Sequence, residues 1–199
     1  MSDLLASLVL FAVVATITPG GATTLATASG IQFGFRRSVP LLLGIAAGLA
    51  GLAAAAASGL AVLLQSLPML EVTLKLAGTA YLLWLAYRIA CAGAPDQGAG
   101  ATAAPFGFIA GALLLLINPK AWAMVLGAVA SFAALSGSPS QLALIMAATF
   151  GSAAIGSLTL WCAGGMAVAR ILRSERQWRL VNALLGLLLA ASILPIWLA

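Results

Sequence analysis

Charge is so sparse along this chain that whole stretches carry none, and that limits what the chain can become. After Asp3 no charged residue occurs before Arg36; residues 38 to 70 are uncharged, and so are residues 121 to 169. A helix needs about 20 apolar residues to cross a bilayer, so each stretch is long enough for at least one span. The 199 residues are 63% hydrophobic and only 7% charged, whereas a soluble domain carries about 25% charged residues. A soluble globular fold is thereby excluded. The run from 121 to 169 is too long for one helix, and SGSPS at 136 to 140 supplies the Gly, Ser and Pro chemistry of a turn. The expectation is an all-α integral membrane protein of six transmembrane helices, at about 4 to 30, 39 to 64, 70 to 91, 106 to 134, 141 to 167 and 178 to 198. They form a single transmembrane domain over 1–199, with the Gly/Ala/Pro linker 92–105 between its halves.

The few charges are arranged by loop. Arg36 and Arg37 follow the first expected helix, Arg88 the third, and Arg170, Arg173, Arg176 and Arg179 the fifth, while the opposite loops hold Lys75 alone. By the positive-inside rule the arginine loops are cytoplasmic and both termini lie outside. The net charge of +5 is therefore topological, and no nucleic-acid partner is expected. Asp3 and the absence of any Lys or Arg ahead of the first apolar run argue against a cleaved signal peptide. Trp178 and Trp197, about 28 Å apart on a helix, read as interface anchors. Two unpaired-looking cysteines, Cys91 and Cys162, and no histidine leave no metal site, no cofactor motif and no enzyme active site to expect. No P-loop occurs, so transport by this chain would draw on an ion gradient or a partner ATPase.

Small residues at G-x-x-x-G spacing, Gly44 with Gly48 and Gly107 with Gly111, allow helix backbones to approach closely within the bundle or between subunits. A shift of 100 residues lays Ile17-Thr18-Pro19-Gly20 over Ile117-Asn118-Pro119-Lys120. Repeat one (1–91) and repeat two (106–199) then hold three helices each, and an odd number makes the repeat inverted. In transporters of that plan, helices broken at corresponding positions mark the midplane binding site. Helices 1 and 4 are expected to break at Pro19 and Pro119, because proline removes an N–H and leaves a carbonyl without its partner. Gly20 and Gly21 clear side-chain bulk beside the first break, and a half-helix starting there would offer free N–H groups to a carboxylate.

Lys120 is the sharpest single residue, because an ionisable group near the bilayer centre is by default functional and must have a partner. No acid is close to it in sequence, and Glu71 has Lys75 four residues on. Either Lys120 waits for a substrate carboxylate or it rests neutral, the second also suiting proton coupling. A bland alternative has it reach an interface or bond carbonyls freed by Pro119. Trp122 and Tyr81 could line the same cavity or pack between helices.

T-P-G at 18–20, F-G-F-R-R-S-x-P at 33–40 leading into G-I-A-A-G, A-G-T-A-Y-L-L-W-L-A at 77–86 and I-N-P-K-A-W at 117–122 together resemble the LysE/RhtB-type amino-acid exporter family, in the right order along nearly the whole chain. The resemblance implies a multi-pass secondary transporter of the bacterial inner (cytoplasmic) membrane with periplasmic termini. It would export amino acids against proton entry, often as a homodimer. Gly21 and Ala22 stand where the family usually reads Pro and Asn. N-P-K-A-W looks most like members that export neutral amino acids or derivatives such as cysteine, O-acetylserine, homoserine or threonine. The absence of an acid near the breaks independently disfavours a cationic cargo. The expected substrate-binding residues are Thr18, Pro19, Gly20, Gly21, Asn118, Pro119 and Lys120.

Readings from other classes fare worse. A thiol-disulfide electron carrier needs cysteines beside the broken prolines, and a divalent-metal exporter needs clustered ligands; neither pattern occurs. A non-transporting membrane scaffold fits the small size and the G-x-x-x-G contacts but gives no reason for a midplane lysine. A related bundle carrying another small solute is the remaining alternative.

Overall fold

The computed structural model describes residues 2–60, 68–91, 106–191 and 193, and they contain helices and no strand. In chain order these are α1 (Ser2–Ile17), α2 (Gly21–Ala55) continued by a π-helical turn (Ala56–Leu60), α3 (Pro68–Ala90), α4 (Phe108–Leu116), α5 (Pro119–Phe132) with a short 3-10 extension (Ala133–Leu135), α6 (Pro139–Ile171) and α7 (Glu175–Ala191). The linker 92–105 and Trp197 lie outside the described residues, as do the side chains of Glu71 and Lys75.

Several boundaries differ from the sequence expectation, each for a local reason. The expected loop between helices one and two is a single residue. Gly34, at φ 73° and ψ 174°, alone leaves the helical region inside α2, so two helical limbs meet there with Arg36 and Arg37 in the second. Only glycine takes that φ without strain, so one residue does the work of a loop. By contrast, the fourth helix breaks at Asn118–Pro119 as expected, into α4 and α5, which meet at 64°. SGSPS is half turn and half helix, because Pro139 sits at the first position of α6, where its missing N–H costs nothing. By length and composition, two described helices can cross a membrane: Gly21–Gly59 (39 residues, through the Gly34 bend) and Pro139–Ile171 (33 residues). The bent pair α4–α5 can make a third, and α1 is apolar but shorter, at 16 residues.

α6 packs along α2 and α1. Leu142, Met146, Phe150, Ala154, Leu158 and Cys162 recur every fourth residue and are buried, which is one continuous face of a helix. Leu41, Ile45, Leu49 and Leu52 make the equivalent buried face on the second limb of α2. That limb runs antiparallel to α6, since Ser38 bonds the side chain of Cys162 and Ala50 lies against Gly151. α1 runs parallel to α6, with Thr16 beside Ser157 and Ile17 beside Trp161. α7 lies antiparallel to α3, because Gly186 packs on Ala86 and Ala90 while Leu189 and Leu82 meet over Gly21. These directions carry Arg36, Arg37, Arg88, Arg170, Arg173, Arg176 and Arg179 to one end of the bundle, and the beginning of α1 to the other.

Close backbone approach is concentrated at glycines. A methyl group on Gly44 would run into the Phe108 carbonyl, one on Gly48 would come within 2.7 Å of the Ala112 carbonyl, and one on Gly111 within 2.6 Å of the Leu41 carbonyl. The motif Gly44/Gly48 is thus consumed inside the chain, joining the second limb of α2 to α4. Gly107, expected to share in such a contact, faces open space. Gly30 against Cys162 and Gly165 against Thr27 make a second such crossing, between α2 and α6. In lipid no hydrophobic force distinguishes helix from solvent, so van der Waals fit of this kind holds helices together.

Gly44→Val and Gly111→Val should therefore each destabilise the detergent-solubilised protein by about 1–3 kcal/mol, the range for overpacking. Gly51→Ala, whose added carbon meets nothing within 4 Å, should not. Thermal unfolding of the three variants checks this.

Candidate functional site

The first break begins with what Pro19 lacks. Without an N–H it cannot reach the carbonyl of Ala15, and α1 ends at Ile17. Thr18 closes the last turn, its N–H donating to the Val14 carbonyl at 3.1 Å and its hydroxyl donating to the same oxygen at 2.6 Å. The carbonyls of Thr16, Ile17, Thr18 and Pro19 are each met by a side chain from elsewhere in the chain. Ser157 Oγ donates to Thr16 O at 2.8 Å, and Trp161 Nε1 donates to Ile17 O at 3.0 Å. Lys120 Nζ donates to Thr18 O at 2.8 Å and, more weakly, to Pro19 O at 3.4 Å. Ser157 and Trp161 are four residues apart, hence on one face of α6. Gly20 is fully extended; its N–H donates to Thr23 Oγ1 at 2.8 Å, which in turn donates to Gly20 O at 2.9 Å. α2 then starts at Gly21, with the first N–H groups that a helix leaves without internal partners.

The second break is closed differently. Asn118 caps α5, its Oδ1 accepting the Lys120 N–H at 3.1 Å and its carbonyl accepting the Ala121 N–H at 3.0 Å. Pro119, at the first position, has no N–H to satisfy. Trp122 Nε1 donates to Leu116 O at 2.7 Å, so an indole also caps the half-helix ahead of this break. Among the described residues, the second break thus has its first N–H groups met by Asn118, and the first break alone presents N–H groups without a partner.

Lys120 ties the breaks together. It stands in the first turn of α5, the positive end of that helix, yet its ammonium reaches across to the carbonyl end of α1, the negative pole. Its partners are carbonyls of the Pro19 break, not those freed by Pro119. Gly20 makes room for this: a Cβ there would come within 3.1 Å of Lys120 Cδ and 3.2 Å of Nζ. Beside them is a cavity of about 40 Å³, lined by Thr18, Gly20, Gly21, Asn118 and Lys120 together with Ala15, Thr16, Thr23, Ser157 and apolar residues such as Ile45, Leu49 and Leu158. Among the described lining residues Lys120 is the one that carries charge. The cavity has room for a few water molecules, so a larger guest requires Lys120 or the helices to move.

Of the seven residues singled out in the sequence, five line this cavity, Pro19 supplies a carbonyl to Lys120, and the side chain of Pro119 lies outside the description. Asn118 is engaged as a helix cap on its oxygen, while its Nδ2 faces Gly21. Trp122 caps α4 and Tyr81 packs on Trp84 with ring centroids 5.6 Å apart; neither lines the cavity. Ser157 and Trp161 are the residues sequence reasoning missed. Their one signal was a hydroxyl and an indole at i, i+4 in a largely apolar helix.

Ser157→Ala and Trp161→Phe each remove one donor from the α1 end, and each should cost about 1 kcal/mol. Combined with Lys120→Met the losses should depart from additivity, because the three side chains hold adjacent carbonyls of one short stretch. A double-mutant cycle on thermal unfolding in detergent measures the coupling.

The LysE type translocator family matches residues 13–192, a span that takes in both breaks, Lys120 and the whole of α6. No curated protein and no solved structure matches the chain. Over nine-tenths of its length, with apolar helices able to cross a membrane, the chain belongs to the LysE type translocator family, membrane transporters of amino acids and related solutes.

Proposed function

We propose that this protein is a secondary-active exporter of neutral amino acids or their derivatives, working from the cytoplasm of a bacterial cell and driven by proton entry. The observation that carries the reading is the position of Lys120, a lone cation between two helix breaks, hydrogen-bonded to neutral carbonyls in a cavity whose described lining holds no acid. Such a group gains by meeting an anion, because charge-assisted hydrogen bonds are about twice as strong as neutral ones. A substrate carboxylate would draw the ammonium from Thr18 and Pro19, and the unused N–H groups at the start of α2 would add to its hold on the anion. Thr18, Gly20, Gly21 and Asn118 complete the binding surface, with Pro19 and Pro119 setting the breaks. The same lack of an acid disfavours lysine or arginine as cargo.

The topology fits alternating access. In this reading α1 with the first limb of α2 is one span, the second limb the next, and α3 the third; the bent pair α4–α5, α6 and α7 are the inverted counterparts. The arginine-bearing end faces the cytoplasm and both termini face the periplasm. Departure of Lys120 from the Thr18 and Pro19 carbonyls loosens the contact between the breaks, and the repeats then rock about the site. Lys120 is the ionisable group positioned to exchange a proton as the site changes sides.

Efflux of preloaded labelled amino acids tests this, with cysteine, serine, threonine, homoserine, leucine and lysine as the panel. Wild type should lower the internal pool of a neutral amino acid. Lys120→Ala at equal membrane abundance should reduce that efflux by roughly 30-fold or more, as expected for deleting one partner of a buried charge pair. Efflux of lysine alone would remove the neutral-substrate reading. No efflux of any panel member would favour the scaffold.

A further inference from the structure

The Thr18 and Pro19 carbonyls hold an ammonium group at 2.8 and 3.4 Å, and that ammonium belongs to the protein itself. We propose that this carbonyl pair is the subsite for the substrate's own α-ammonium, and that Lys120 is its resident occupant between transport cycles. The inference deepens the exporter reading above and rests on it for the identity of the cargo, but the cradle itself is a matter of local geometry.

Four observations support it. The two neighbouring carbonyls, Thr16 and Ile17, are already occupied by Ser157 and Trp161, so departure of Lys120 vacates Thr18 and Pro19 and nothing else along this stretch. Those two oxygens lie at the carbonyl end of α1, where the helix dipole favours a cation. Gly20 keeps the approach open, since even one carbon there would press on the present ammonium at 3.2 Å. Finally, Lys120 has to remain near the cradle to hold the carboxylate, and in an α-amino acid the ammonium and carboxylate are attached to the same carbon. A single α-amino acid can therefore replace the two neutral contacts of Lys120 with a carboxylate and fill the vacated carbonyls with its own N–H groups. The exchange leaves neither carbonyl without a donor and gives Lys120 an anion in place of neutral partners. A β-amino acid places its two charged groups one bond further apart, and an N-acylated one has neither the charge nor the three N–H donors.

Two measurements test the proposal separately from the transport reading. In efflux, the free α-amino acid that the protein carries should leave at least tenfold faster than its N-acetyl derivative loaded to the same internal concentration. Equal efflux of both would overturn the ammonium subsite while leaving the exporter intact. The second measurement needs no transport. Lys120→Ala empties the cradle and leaves space for a small amine, so ethylammonium chloride should raise the unfolding temperature of this variant in detergent by roughly 2–4 °C. Wild type, whose cradle is filled, should not respond. Tetraethylammonium, which has no N–H, and sodium at equal ionic strength should not replace ethylammonium. Stabilisation by sodium as large as that by ethylammonium would make the pair a site for inorganic cations and overturn the proposal, as would no response to ethylammonium. If efflux of every cargo fails while ethylammonium still stabilises Lys120→Ala, the carbonyl pair stands as an ammonium site and the exporter reading falls.

Discussion

A backbone carbonyl surrounded by hydrocarbon must find a donor, and at the Pro19 break four that do not have one in their own helix find it on α5 and α6. Pro19 ends α1 in the interior of an apolar chain, and the carbonyls of Thr16, Ile17, Thr18 and Pro19 are then satisfied by a serine, a tryptophan and a lysine. Ser157 and Trp161 fix the broken end to α6, one face of which is buried along most of its length. Lys120 fixes it to α5. The three donors differ in kind: a hydroxyl and an indole belong in apolar surroundings, whereas an ammonium there has a much stronger interest in an anion. The proposed exchange would thus free only the contacts of Lys120 and leave those of Ser157 and Trp161 in place.

Around this break the packing is tight wherever glycine permits it. Gly44, Gly48 and Gly111 bring the second limb of α2 against α4, and Gly30 and Gly165 bring the first limb against α6. α2 therefore touches both the element ahead of the second break and the helix that holds the first. A movement at either break is felt by the same helix. Gly34, the left-handed residue between its limbs, is where the two crossings can change their relation with the smallest backbone adjustment.

How much of this could be read from the sequence follows from whether each feature is local. Proline's missing N–H is a property of one residue, so the breaks at Pro19 and Pro119 were legible, as was a lysine alone in an uncharged run. The expectation of membrane helices rested on charge spacing, which is equally local. The partner of Lys120 was not legible, because Thr18 and Pro19 are about a hundred residues away and become neighbours only through the crossing of α1 and α5. Ser157 and Trp161 carry no pattern that separates a carbonyl cap from ordinary packing. The bend between the first two spans was expected as a loop because loops usually need several residues; here one glycine at φ 73° is enough. The glycine pairs illustrate the opposite failure. Gly44/Gly48 and Gly107/Gly111 look alike in sequence, but Gly107 points into open space, which only the assembled helices determine.

The two indole caps have a consequence of their own. Trp161 donates to the last carbonyl of α1 and Trp122 to that of α4, each at hydrogen-bonding distance. Two of the five tryptophans in the chain are therefore placed as native fluorophores, one on each hinge. An indole that loses its carbonyl acceptor changes the polarity it senses, so the colour of the emission carries a record of each hinge. A chain in which Trp84, Trp178, Trp197 and one of the pair are replaced by phenylalanine would report from the other break alone, with no label attached.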